Sequence, residues 1–583
     1  MTDARVCSDL DSSIHDACEI VESIDNIQNT ASSVGTQQHA VSPIFHLTDD
    51  VVADIFYIVA NLECEGWTND WERQRYQTRC TLDFIGITHV CRLWRTISLG
   101  DGRLWSNILW DRPKWAAEML LRCRGAPITI DRAVNNYDLE EIAAVRDMLL
   151  HLPRVRSIHL SGCLNIISWF AKELLQPAPM LRSATLVGPE NSYLFLQPNG
   201  MTSVVPSTIF AGDAPRLRRL TIHNYGFSWK APILARLVYL EVRLELRNGL
   251  RDPRRRSILR HDDELLDALQ QAQGLETLIL INSMPPLPAH MQSLPSEYRA
   301  IHMPRLRHLT LYGLLLECAH FARQLVIHPD AHLHYECEHG GICVDDISAA
   351  FCIAALLEPC CNSVPMRSIG ALHLTCFASY LQIKVWDTAS IPSDGLLEKP
   401  ILNLVLHWHS SNQRETCLFP VLTAVLGPLS LDKTVQTLSL ITDHTCSKMD
   451  DWTDLFWRMK NIETIHVDGC PDLSGLSSLF RALSTSIEGW PASVEIPELR
   501  DAPRVLFPRL RCLRLSSFEL RMQLDLVIIV EHLRARSKVG YPVEEFVFLC
   551  DELEDACIKQ FEEVVTKVRW DKRSSSRFDS VFI

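Results

Sequence analysis

One apolar pattern constrains this chain more than any other feature. L-x-x-L-x-L, with aliphatic substitutions, returns eleven times between Val155 and Leu515. The occurrences are Val155-Ile158-Leu160, Leu181-Ala184-Leu186, Leu217-Leu220-Ile222, Leu237-Leu240-Val242, Leu275-Leu278-Leu280 and Leu306-Leu309-Leu311, then Ile369-Leu372-Leu374, Ile401-Leu404-Leu406, Val435-Leu438-Leu440, Ile462-Ile465-Val467 and Leu510-Leu513-Leu515. Alternation at the last two apolar positions marks a short strand with one buried face. Helical patterns such as 138–152, 262–273 and 451–459 lie between, and Pro-Arg-Leu-Arg introduces three of the units, at 215–218, 304–307 and 508–511. Closer neighbours are 20, 27 or 31 residues apart, and the longest gap is 63. Unrelated strands would not keep one motif through so many recurrences, so the fold class expected over residues 113–570 is α/β, an irregular solenoid of parallel strands.

In such a unit the residue between the last two apolar positions points away from the core. These residues are His159, Thr221, Glu241, Ile279, Thr310, His373, Val405, Ser439, His466 and Arg514. Their mixed chemistry suits a protein surface as partner, and His159, Thr221, Glu241, Thr310, His373, Ser439, His466 and Arg514 are the candidate client-binding residues. Val155–Cys163 and Ile462–Cys470 extend the motif to L-x-x-L-x-L-x-x-C, and in this the body resembles the leucine-rich repeat class.

The N-terminal region is different. Residues 1–40 carry seven acidic residues and one arginine, with no aromatic anchor, and read as a mobile arm. Order is expected from about residue 41, with Thr48 as helix cap and Asp49 and Asp50 in the first turn. Leu47, Val51, Ile55 and Val59 recur at helical spacing with Val52 and Phe56 beside them, giving a wide apolar stripe. A polar insertion follows at 63–81; then Val90, Trp94 and Ile97 form a second stripe, which Gly100 and Gly102 end before Leu104-Trp105.

L-T-x-D-V-V-x-x-I-F (Leu47–Phe56), T-H-V-C-R-x-W-R-x-I (Thr88–Ile97) and L-W-S-x-I (Leu104–Ile108), in that order, resemble the F-box motif of the F-box-like proteins found in fungi. Thr48 and Asp50 stand where that motif usually has Pro and Glu. The likeness continues to residue 130, through a helix and an A-P-I-T-I strand, and so covers about 41–130. It implies a three-helix module over 41–112 that docks on a Skp-type adaptor, and through it on a cullin, while the body captures a client protein. The chain would then be the substrate-recognition subunit of an SCF-type cullin–RING ubiquitin ligase and no enzyme itself. The residues implied for the adaptor are Ile44, Leu47, Val51, Ile55, Val90, Trp94, Leu104 and Trp105, some of which must instead be the module's core. The alternative is a repeat scaffold that uses the helical module only as a cap.

A net charge of −14 argues against a whole-surface nucleic-acid binder. Twenty cysteines are too few for a disulfide scaffold of this length, and neither an N-terminal apolar region nor a run near 18–20 apolar residues is present, so a cytoplasmic or nuclear protein is expected. No phosphate-cradling loop, nucleophile elbow or metalloprotease motif occurs. Cys318, His320, His328, His332, His334, Cys337, His339 and Cys343 supply enough zinc ligands but lack paired C-x-x-C knuckles; a His-rich loop without metal or cofactor is the expectation. The basic run 251–260 reads as a solvated loop, and 571–583 as a tail.

Overall fold

A computed structural model of the chain describes residues 43–62, 82–110, 112–134, 139–162, 169–188, 204–245, 262–288, 291, 293–339, 346–361, 369–377, 380–389, 391, 399–408, 422, 434–442, 449–468, 474–484, 505–516, 523–549 and 555–571. The chain divides into two compact units, Met1–Ile130 and Asp131–Ile583. The acidic arm, the 63–81 insertion, the 251–260 run and the end of the chain after 571 lie outside the described residues.

In the first unit a 3-10 turn, Pro43–His46, leads to helix α1 (Asp49–Leu62); a 3-10 segment, Leu82–His89, precedes α2 (Arg92–Gly100), and α3 is Pro113–Arg122. Asp49 and Asp50 do fill the first turn of α1, and Thr48 supplies its carbonyl to the Val52 N–H at 3.1 Å. Cys91 caps α2, its sulfur accepting the Trp94 N–H at 3.5 Å. α1, α2 and the 3-10 segment pack together over Val52, Phe56, Ile97, Leu104 and Trp105. Trp105 is the hub of this core. Its Nε1–H donates to the Ser98 carbonyl at 2.9 Å, Phe84 meets it edge-on at 5.4 Å, and the Arg122 guanidinium lies 4.4 Å from its ring. Gly102 stands against the Cys123 carbonyl, with no room for a Cβ.

Most of the second unit is ordered by one sheet. Its sixteen strands are β1 (Ile128–Val134), β2 (Val155–Gly162), β3 (Ser183–Val187), β4 (Arg219–His223), β5 (Tyr239–Arg243), β6 (Thr277–Ile281), β7 (His308–Leu314), β8 (His332–His339), β9 (Ala371–Phe377), β10 (Tyr380–Trp386), β11 (Leu402–Trp408), β12 (Thr437–Thr442), β13 (Thr464–Asp468), β14 (Cys512–Ser516), β15 (Glu545–Leu549) and β16 (Lys567–Asp571). They stand in chain order except at one place, where β8 is followed by β11, β10 and β9 before β12. The described pairings are parallel but for the two that β10 makes with β9 and β11. Between strands run α4 (Leu139–Leu149), α5 (Ala171–Leu174), α6 (Asp262–Gln271), α7 (Leu315–Ala322), α8 (Asp346–Cys361), α9 (Met449–Phe456), α10 (Ser474–Ser484), α11 (Gln523–Lys538) and α12 (Asp555–Glu562). α7 packs on β7, β8 and α8, and α9 to α12 each pack on the next.

The motif explains the sheet. Its last two apolar positions align across strands into two buried columns: Ile158, Ala184, Leu220, Leu240, Leu278, Leu309, Leu333 and Leu402 in one, and Leu160, Leu186, Ile222, Val242, Leu280, Leu311, Tyr335 and Leu404 in the other. Parallel strands stack this way when every unit contributes the same inward pair, and each aliphatic side chain removed from water adds about 1.5–3 kcal/mol. All eleven motif segments are strands of this one sheet.

Three details differ from the sequence expectation. Residues 332–339 are a strand, not a loop: polar side chains alternate with Leu333, Tyr335 and Cys337, and that alternation fits a half-buried strand. β10 runs antiparallel, because only the residues at 378–379 separate it from β9 and so short a link joins antiparallel strands. In β11 the inward pair is Leu402-Leu404 rather than Leu404-Leu406, so Asn403 takes the position expected for Val405, which is buried one step along. Three consecutive apolar alternations made both registers compatible with the pattern.

Candidate partner-binding surfaces

In the first unit the wide stripe of α1 splits into two faces. Val52, Ala53 and Phe56 point into the core, while Val51, Ile58 and Val59 are exposed, Ile58 at 55%, and Ile55 is half-buried. Leu47, Val90 and Leu93 are exposed too, Val90 at 58%. Six exposed aliphatic side chains thus lie on these two helices and the residues that lead into them. Of the expected adaptor residues, Leu47, Val51 and Val90 are on the surface, and Ile44 and Ile55 are half-buried. Trp94 is half-buried with its ring 4.9 Å from Phe56. Leu104 and Trp105, at 3% and 1% exposure, are core and present nothing to a partner, which corrects the expectation for both. Ile58, Val59 and Leu93 are exposed as well, though only Val59 was part of the expected stripe and none was in the adaptor set; Ile58 and Val59 follow Val51 at i+7 and i+8, the spacing of one helix face.

In the second unit the outward residues form one row along the sheet: His159, Thr185, Thr221, Glu241, Ile279, Thr310, His334, Asn403, Lys384, His373, Ser439, His466, Arg514, Val547 and Arg569. Every expected client residue falls in it. Arg514 is exposed, whereas His159, Glu241, Thr310, His373 and His466 are half-buried and Thr221 and Ser439 are buried between their row neighbours. Neighbouring strands put polar groups in contact. Glu241 accepts the Tyr239 hydroxyl at 2.6 Å and meets His223 at 2.9 Å, and His159 lies 3.2 Å from Asp131. His373 bridges Ser439 and Thr375, each at 2.9 Å, and His466 reaches Ser516 at 2.9 Å. Glu336 lies 3.2 Å from His407 and 3.9 Å from His334; burial raises its carboxyl, but those two histidines outweigh it and hold the group at about 2.

The same alternation separates the zinc candidates. His332 and His334 lie on the outward face, whereas Cys337 is buried on the other, as is Cys318 on α7. The side chains of His339 and Cys343 lie outside the described residues. Among the described residues no three His, Cys, Asp or Glu side chains are placed to hold a metal ion, and no helix is long and apolar enough to cross a membrane.

Burial, with the charges of Lys384 and His466, pushes His373 from its ordinary 6.5 down to about 4, so it is neutral at pH 7. The unfolded chain takes up this proton near pH 6.5 and the folded chain only near pH 4. Stability present above pH 6.5 therefore falls as the pH drops through that window, by at most about 2 kcal/mol from this group between pH 7 and pH 5. Urea midpoints at the two pH values should lie closer together in His373→Gln than in the wild type. An unchanged gap would mean that other groups carry the dependence.

The geometry defines an α/β protein with a large, mostly parallel sheet and a separate small helical unit. No family model matches the chain, and no curated protein matches it either.

Proposed function

We propose that this chain is the substrate-recognition subunit of an SCF-type cullin–RING ubiquitin ligase. The first unit is an F-box-like module whose exposed aliphatic face docks on a Skp-type adaptor. The second is a leucine-rich-repeat-like solenoid whose outward sheet face receives a client protein. The observation that carries the reading is the split of α1 into a buried and an exposed apolar stripe, both within the segment that resembles the F-box. A helix with water on one side rarely keeps Val51, Ile58 and Val59 there unless a partner covers them, and a helix face laid into an apolar groove is a common mode of such docking.

The subunit performs no bond chemistry on this reading. It holds a client near a ubiquitin-loaded enzyme and raises the effective concentration of the client's lysine amine there. The sheet supports the second half of the reading through strands that keep chain order but for the β9–β11 reversal, its motif columns in register and its mixed outward row. Affinity purification of the tagged chain tests the proposal. A Skp-type adaptor and a cullin should co-purify in near-equal amounts; a preparation with clients but no adaptor would favour a scaffold without ligase.

A further inference from the structure

A cleft of about 600 Å³ opens in the second unit between the segment 293–296 and α8, lined in part by Leu294, Pro295, Phe351, Cys352, Arg323 and Glu358. That volume lies within the range of ligand pockets and has room for the last residue of a peptide together with part of the chain before it, and most of the lining is apolar. Its charged lining residues are Arg323 and Glu358. Arg323, one residue past the end of α7, has no carboxylate partner among the described residues. Neutral groups hold it instead: its guanidinium lies 4.7 Å from the Tyr298 ring and donates to the Pro295 carbonyl, and its buried Nε has no hydrogen-bond partner. A guanidinium held only by neutral groups attracts a carboxylate, which would meet the N–H groups that the Pro295 carbonyl leaves free.

Glu358 lines the same cleft and accepts the Tyr298 hydroxyl at 3.0 Å, so Tyr298 touches both charged groups while they stay unpaired with each other. A polyanion would be repelled by Glu358; a ligand with one carboxylate and an N–H close behind it satisfies both ends. Phe351, 68% exposed beside the buried Cys352 and Ile353, supplies an uncovered ring against which an apolar side chain can pack.

We propose that this cleft binds the C-terminal residue of a peptide, its carboxylate on Arg323, its main-chain N–H toward Glu358 and its apolar side chain against Leu294 and Phe351. The proposal rests on the reading of the second unit as client-binding, and adds that a free apolar C-terminus is one signal it recognises.

Fluorescence anisotropy on the full chain tests this with fluorescein-labelled Gly-Ser-Gly-Ser peptides extended by Leu, Phe or Met, each as free acid and as amide. At least one acid should bind ten times or more tighter than its amide. Arg323→Met should abolish that preference, and Ala354→Trp, which puts a large ring into the cleft lining, should weaken the acid at least tenfold with melting temperature unchanged. If Arg323→Met does not fold, Ala354→Trp carries the test. Equal affinity for acid and amide, or no binding by any peptide, overturns the proposal. Hexanoate competing as strongly as the acid peptide assigns the cleft to a small carboxylic acid and overturns the peptide assignment. Adaptor capture, measured on the same preparations, separates the two readings: a missing acid preference with capture intact refutes this proposal alone, and lost capture with the preference intact refutes the ligase reading alone.

Discussion

Replacing Arg536 by alanine is expected to cost about 3–5 kcal/mol of stability, enough to unfold much of the second unit's C-terminal part. Arg536 lies on α11 at 1% exposure. Its NH1 donates to the carbonyls of Leu483 at 2.7 Å and Leu506 at 2.8 Å, and its NH2 to that of Phe507 at 2.6 Å. Leu483 is in the last turn of α10, where carbonyls have no helical N–H to accept, and Phe507, at φ 53°, turns the chain toward β14. One guanidinium therefore ties two helices to the entry of a strand. Burial pushes Arg536 down to about 10, which still leaves it charged at pH 7. Alanine would leave the buried Leu483 and Leu506 carbonyls without their donor, at about 1–3 kcal/mol each and not additively, while the Phe507 carbonyl keeps the Leu510 N–H at 3.1 Å, and would open a cavity. Arg536→Met keeps the volume and should recover only the packing part; Arg536→Lys offers one nitrogen where a fork is needed and should fall between. Urea midpoints rank the series. A midpoint for Arg536→Ala within error of the wild type would show that the carbonyls find other partners.

Nothing in the sequence pointed to Arg536. It is one arginine among the charged residues 531–538, and its burial depends on the turn at 506–507 meeting the end of α10, a contact without local signature. The strands were legible for the opposite reason. Their apolar spacing is local, and stacking repeats it, so Leu240, Leu278 and Leu309 could each be placed from their own neighbours and then fell into one column. β8 is harder to read because its polar positions are histidines and glutamates, residue types that also serve as metal ligands, set between the alternating Leu333, Tyr335 and Cys337. β15 and β16 escaped because Phe546-Phe548 and Val568-Trp570 replace the leucines, though they continue the columns from Leu513-Leu515. On α1 the pattern located the apolar residues but could not divide them, since two adjoining apolar stripes give the same periodicity as one broad one. Packing by Phe56 and Trp94 decides which stripe is core.

That division sets the second large expectation. Val51→Asp combined with Val90→Asp should weaken capture of a Skp-type adaptor by a hundredfold or more, roughly 3 kcal/mol. Two carboxylates would have to leave water in an interface that is apolar on this side. Stability should move little, since both side chains are already solvated and exposed substitutions usually fall within about 0.5 kcal/mol. Trp105→Ala is the contrasting variant. It also lies in the blocks that resemble the F-box, but at 1% exposure its loss should destabilise the first unit by about 3–5 kcal/mol. Loss of binding there would accompany loss of fold, as a shifted melting transition reports.

Isothermal titration of the purified full chain with a recombinant Skp-type adaptor tests the central claim most directly, with wild type and the Val51→Asp, Val90→Asp double variant measured side by side. The wild type should form a one-to-one complex of micromolar or tighter affinity, and a double variant that melts at the same temperature should form none detectable. No binding by the wild type, or equal binding by both, would contradict that claim.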